Sequence, residues 1–208
     1  FANIAQGTNS VIATKTAMSL MEYTVTEAGF GADLGAEKFL EIKCRHAGIW
    51  PRCVVLVATV RALKYHGGVK LKELQEENVA ALRSGFVNLQ RHVENLKKFD
   101  LPVVVSINHF TVDTEQEIDC LKDLLLQEKI PASVCSGWAH GGSGCEELAS
   151  LLALECEKKP PTPKYIYAAD LDVKEKLDIL AKEYYRAGKV NWSVRALKAL
   201  KHLRELGL

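Results

Sequence analysis

The chain has 208 residues, 48% of them apolar and 25% charged, with a formal net charge of +1. That length buries a substantial core in one large domain, and the near-neutral charge gives no global attraction to nucleic acid or to a membrane surface. No apolar run approaches the ~18 residues of a spanning helix and no signal-peptide pattern opens the chain, so a soluble, cytoplasmic protein with no nucleic-acid and no membrane partner is expected.

The chain opens on Phe1 without a methionine, which leads to the expectation of a processed chain or an internal piece of a longer one. None of the six cysteines forms a C-x-x-C pair, so reduced thiols are expected in place of a disulfide framework. Cys44, His46 and Cys53 lack a fourth ligand at a zinc-finger spacing, and no metal site is expected from them.

The first predicted strand covers 23–27 (YTVTE) and runs into a turn, 26–35, that holds Glu27, Gly29, Gly31 and Asp33. Glycines there let the backbone approach a phosphate, and the two acids have the chemistry to hold magnesium. The alternative is a plain strand-to-helix turn with Asp33 as a helix-start acid. A second strand is predicted over 53–60 and a third over 102–108, both valine-rich and almost continuously apolar, the pattern of strands buried on both faces of a parallel sheet. The segment after the second strand, 59–68, is read as a loop in which Arg61 and Lys64 stand where a phosphate or carboxylate would lie, or as a surface turn with solvated bases. Val79, Leu82, Phe86, Leu89, Val93 and Leu96 draw one apolar stripe and predict a long helix.

The third strand leads to Asn108, His109, Phe110 and Asp113. An asparagine at a strand end offers both a donor and an acceptor to a purine edge, and Phe110 offers a stacking face, while Asp113 or Thr114 is equally a helix cap. Thr114 to Glu117 reads as a capping box opening the next helix. A fourth strand is predicted over 132–136, followed by a glycine-rich loop over 136–144 with Ser136, Trp138, Gly141 and Gly142. His140-Gly141-Gly142 and Ser143 mimic an esterase loop, but Cys145 stands where G-x-S-x-G requires glycine. A helix follows Gly144. The run KKPPTP at 158–163 reads as a stiff linker, and two further helices are predicted over 173–186 and 192–206. The basic stretch of Arg195, Lys198, Lys201 and Arg204 reads as a solvated helix face.

Strands alternating with helices predict an α/β fold with a mostly parallel sheet, in which ligands lie beyond the carboxyl ends of the strands. No G-x-x-x-x-G-K-[ST] occurs anywhere in the chain.

Read together and in order, several strings resemble the formate–tetrahydrofolate ligase family. They are FANIA with Asn9-Ser10, VTEAGFGADLGAEKF at 25–39, IKCR at 42–45, VVLVATVRALK at 54–64 with His66-Gly67-Gly68, PVVV at 102–105 and DTE at 113–115. Gln6, His46 and His109 depart from the usual histidine, tyrosine and alanine of those strings, and residues 185–188 depart from a Y-G-A-D string. The resemblance implies a sheet of P-loop NTPase type, incomplete here, over residues 1–158, with a linker and the helical start of a following domain over 159–208. It implies ATP-dependent joining of formate to tetrahydrofolate through formyl phosphate, with ATP and Mg2+, a monovalent cation and a homotetramer. By position it implies phosphate- or metal-facing roles for the segment with Glu27, Gly29, Gly31 and Asp33, to which the residue reading adds Arg61 as a phosphate-facing candidate. It also implies adenine-pocket roles for Asn108, Phe110 and Asp113, with Ser136, Trp138, Gly141 and Gly142 as the other wall. The P-loop, the formate-binding bases and the folate clamp are expected outside these residues, so the isolated chain is expected to be inactive. The alternative is a truncated, non-catalytic relative serving as an oligomerisation or interaction module.

Overall fold

The computed structural model describes residues 10–207; the opening string from Phe1 to Asn9, with Gln6, lies outside the described residues. The chain divides into two compact units, one up to Pro163 and one from Lys164, a division that falls at the end of the proline-rich run.

In the first unit, helix α1 (Val11–Leu20) starts where the Ser10 hydroxyl accepts the Ala13 N–H. A helical run follows residue 31, through wide turns at Ala32–Ala36 and Phe39–Cys44 into the short α2 (Arg45–Ala47), and Gly48 ends it with a φ of 64°. Three parallel strands come next: β1 (Val54–Ala58), β2 (Val103–Asn108) and β3 (Ala132–Cys135), side by side in that order. Helices α3 (Val60–His66) and α4 (Val79–Lys97) join β1 to β2, α5 (Glu115–Gln127) joins β2 to β3, and α6 (Gly137–His140) and α7 (Glu146–Glu157) follow β3.

Residues 23–27, expected as a strand, belong to no sheet. Val25 is 89% exposed. An intrinsic preference for extended backbone does not make a strand without a neighbouring ladder and a face to bury. The other expected strands form within a residue or two of their predicted limits.

Strand β2 is central, and Val103, Val104, Val105, Ser106 and Ile107 are all buried. For β1 the expectation of burial on both faces fails. Among the described residues it is an edge strand; Leu56 and Ala58 turn into the core, and Val57 is 61% exposed. Continuous hydrophobicity is shared by covered and half-covered strands, so it does not distinguish them.

The predicted stripe on α4 buries Leu82, Phe86, Leu89, Val93 and Leu96 against the sheet. Full burial of such side chains contributes about 1.5–3 kcal/mol each. Helices α3 and α4 touch backbone to backbone. A Cβ on Gly85 would lie 1.9 Å from the Leu63 carbonyl oxygen, and one on Gly67 1.9 Å from that of Ala81. The α5 capping box forms with both of its bonds, Glu117 N–H to Thr114 Oγ1 and Thr114 N–H to Glu117 Oε2.

The second unit holds α8 (Val173–Glu183) and α9 (Val194–Glu205). Both start at side-chain caps, Asp172 and Ser193, and α9 begins two residues inside its predicted start. Arg204 donates to Asp172 Oδ2 at 2.6 and 3.0 Å, so this base of the terminal stretch is paired. The Lys174 N–H and Arg204 together hold the Asp172 carboxyl below its ordinary range.

Candidate functional site at the carboxyl edge of the sheet

Strand register levels the three carboxyl ends. Ala58 faces Ile107, and Asn108 faces Cys135. Whatever follows these strands therefore converges on one edge.

After β1 the chain does not form the expected loop. Thr59 accepts the Ala62 N–H and caps α3, and helical geometry then sends Arg61 and Lys64 in different directions. Arg61 is exposed in the first turn. Lys64 is 1% exposed, so it is no surface base awaiting an anion. Its Nζ lies 2.9 Å from Glu117 Oε1 and donates to the Glu76 carbonyl at 2.9 Å. Glu117, fully buried, also accepts the Asn78 N–H at 2.8 Å. Burial alone would raise this carboxyl; the Asn78 N–H, the Lys64 ammonium and the Thr114 N–H outweigh it and leave the pKa below its ordinary value. One carboxylate thus joins the end of α3, the start of α4 and the start of α5. Sequence reasoning found Glu117 only as a capping residue. Its second role had no signal, because its partner is far away along the chain.

After β2, Asn108 sits half-buried at the strand end, and residues 110–113 make a tight turn. Asp113 N–H donates to the Phe110 carbonyl at 3.0 Å, and Phe110 N–H donates to Asp113 Oδ2 at 2.8 Å. Asp113 therefore caps its own turn and leaves Thr114 to cap α5. Burial, only partly offset by the Phe110 N–H and by His109, raises the Asp113 carboxyl above its ordinary range. Phe110 is 40% exposed and available for stacking. Beside this turn lies an open cleft of about 420 Å³, lined by His109, Asp113, Glu115, Ile118, Lys122 and Val134.

After β3, the 136–144 loop folds back on itself. Ser136 N–H donates to the Gly144 carbonyl at 3.0 Å, and a Cβ on Gly144 would come within 2.6 Å of the Ser136 backbone. Gly141, at φ 59° and ψ −138°, adopts a conformation essentially confined to glycine. Gly142 has open space around it, and Ser143 Oγ donates to the His140 carbonyl at 2.8 Å. The Trp138 indole N–H donates to the His109 carbonyl at 2.6 Å, while the ring stays 57% exposed. That bond, unsuspected from the sequence, ties the loop after β3 to the loop after β2. It brings together the two segments that hold Phe110, Asp113, Ser136, Trp138, Gly141 and Gly142.

The glycine loop with Glu27 and Gly29 packs against the core. Ala28 and Ala32 pack on the core, and the Gly29 carbonyl crosses Gly35 so closely that a Cβ there would lie 1.7 Å away. Gly31 precedes the first helical turn, and Asp33 lies within it. Burial lowers the pKa of His92 on α4; the charge of Asp33 opposes that shift and the charge of His66 adds to it. Asp33 thus stands at the start of a helix, as the simpler reading of the turn had it, on the α4 flank.

The fold and this edge define a class: an α/β protein whose parallel strands end together at one edge, the side on which open α/β sheets bind ligands. The family model for formate–tetrahydrofolate ligase matches residues 1–208. Relatives named formate–tetrahydrofolate ligase are 54% identical over 207 residues in Pelagibacter ubique, 52% over 209 in Methylobacterium nodulans and 53% over 207 in Thermotoga maritima. Each similarity covers 100% of this chain and 37–38% of the relative, so the chain spans little more than a third of the length of these proteins. The chain belongs to the formate–tetrahydrofolate ligase family.

Proposed function

We propose that this chain supplies the base-facing part of an ATP-dependent formate–tetrahydrofolate ligase. That enzyme makes 10-formyltetrahydrofolate, ADP and phosphate. Formate is a poor electrophile; transfer of the ATP γ-phosphoryl group makes formyl phosphate, whose phosphate is a good leaving group when tetrahydrofolate attacks. Similarity across the whole chain favours the ligase over a detached interaction module.

The observation that carries the reading is the Trp138–His109 bond, which ties the loops after β2 and β3 together at one strand-end edge. There Asn108 presents a donor and an acceptor to the adenine edge, Phe110 and Trp138 present π-faces, and Asp113 accepts from the exocyclic amine. Gly141 and Gly142 let backbone approach the ribose. Arg61, exposed at the same edge, faces the phosphates. Glu27, Gly29, Gly31 and Asp33 serve the phosphates and Mg2+ once the phosphate grip is supplied by sequence outside these 208 residues. A P-loop-type sheet, monovalent-cation activation, a homotetramer and a cytoplasmic setting belong to the same proposal.

The test compares the full-length ligase carrying this chain with the 208-residue chain alone, each given ATP, formate and tetrahydrofolate. Only the full-length protein should make 10-formyltetrahydrofolate. Product from the isolated chain, or none from the full-length protein, would sink the assignment.

A further inference from the structure

Two cysteines close the neck of the 136–144 loop, and neither has a place in the ligase chemistry above. Cys135 ends β3 and Cys145 precedes α7, and their sulfurs lie 3.3 Å apart. The contact follows from the backbone. The Ser136–Gly144 bond staples the residues next to both cysteines, and Gly137 has no side chain to intrude, since a Cβ there would lie 2.5 Å from Cys145 Sγ. Both residues are half-buried at the carboxyl edge, within reach of a small oxidant.

From this juxtaposition we infer that Cys135 and Cys145 form a dithiol modification site that hydroperoxides convert to a disulfide across the loop neck. Cys135 is the attacking thiol. The Gly137 N–H first, then Cys145 and Ser106, hydrogen-bond its sulfur and hold it below the ordinary thiol range, while the same contact and burial raise Cys145. The Cys135 thiolate attacks one peroxide oxygen; an S–O bond forms, the O–O bond breaks, and the leaving oxygen takes a proton to become an alcohol or water. Cys145 sulfur then attacks the sulfenic sulfur. The S–S bond forms, the S–O bond breaks, and hydroxide leaves as water with the Cys145 proton. Two thiols lose two electrons and two protons, and the peroxide takes them up.

Other thiols are poorer targets. Burial pushes Cys44 up to about 12, and burial with Cys156 and Glu155 pushes Cys53 up to about 11. The inference stands on the loop's own geometry and is independent of the nucleotide reading.

The experiment treats the full-length protein with hydrogen peroxide, blocks residual thiols by alkylation and maps peptides by mass. The expected product is a Cys135–Cys145 cross-linked peptide, two hydrogens lighter, formed at least about tenfold faster than Cys44 or Cys53 is lost, because thiolate fraction governs attack. In Cys145→Ser, dimedone should trap a sulfenic acid at Cys135; in Cys135→Ser, Cys145 should stay unlabelled. Cross-links joining another pair, free Cys135 and Cys145 after the other thiols oxidise, or a dimedone adduct on Cys145 in Cys135→Ser would overturn the inference.

Discussion

Removing one partner of the Lys64–Glu117 pair tests how the site is held. Replacing Glu117 with Ala leaves an ammonium that is 1% exposed with one carbonyl partner, and frees the N–H groups of Asn78 and Thr114. Breaking a buried pair from one side costs about 3–5 kcal/mol, against a typical domain stability of roughly 5–15 kcal/mol. With a urea dependence of about 2 kcal/mol/M, the unfolding midpoint should fall by roughly 2 M. The double variant Lys64→Met with Glu117→Leu buries no charge and leaves three backbone groups, the Asn78 and Thr114 N–H and the Glu76 carbonyl, without these partners, at about 1 kcal/mol each. It should therefore be less destabilised than the sum of the single variants by at least ~2 kcal/mol. The pH dependence has a definite sign. Glu117 titrates below its ordinary 4.5 in the folded protein, so its contribution is complete above that value and disappears as pH falls through the lower folded pKa. The difference between wild type and Glu117→Ala should shrink over that window. A midpoint within ~0.5 M of wild type, or strict additivity in the double variant, would refute the reasoning.

Three other outcomes are expected. Gly85→Ala must move α4 off the Leu63 carbonyl and should cost about 1–3 kcal/mol in urea unfolding, while Gly142→Ala, with open space at its Cβ, should stay within about 0.5 kcal/mol. Asn108→Ala and Trp138→Phe in the full-length ligase should each weaken ATP binding about tenfold in calorimetry, a loss of ~1.4 kcal/mol, with tetrahydrofolate binding unchanged. ATP affinity should fall as pH drops through the raised Asp113 pKa, because the carboxylate is the acceptor, and Asp113→Asn should flatten that dependence.

What was legible in the sequence were features carried by local periodicity or local chemistry. The α4 stripe, the valine-rich β2 and the capping box at Thr114 all required only neighbouring residues. Residues 23–27 misled because β-branched and aromatic residues favour extended backbone whether or not a partner strand exists. Residues 59–68 misled because Arg61, Lys64 and His66 look like a polar loop, whereas Thr59 starts a helix that turns Lys64 toward Glu117. Long-range contacts left no trace in the pattern: Trp138 to His109 and Lys64 to Glu117 each depend on where the parallel crossovers return the chain. The candidate site residues were readable as strand-end positions. Their assembly into one edge followed from the register.

Photolabelling of the full-length ligase with 8-azido-ATP, followed by peptide mapping, tests the central claim most directly, since the azide sits on the base itself. Label on residues 108–113 and 136–144, suppressed by excess ATP, is the predicted result. ATP-protected label found only on other segments would contradict it.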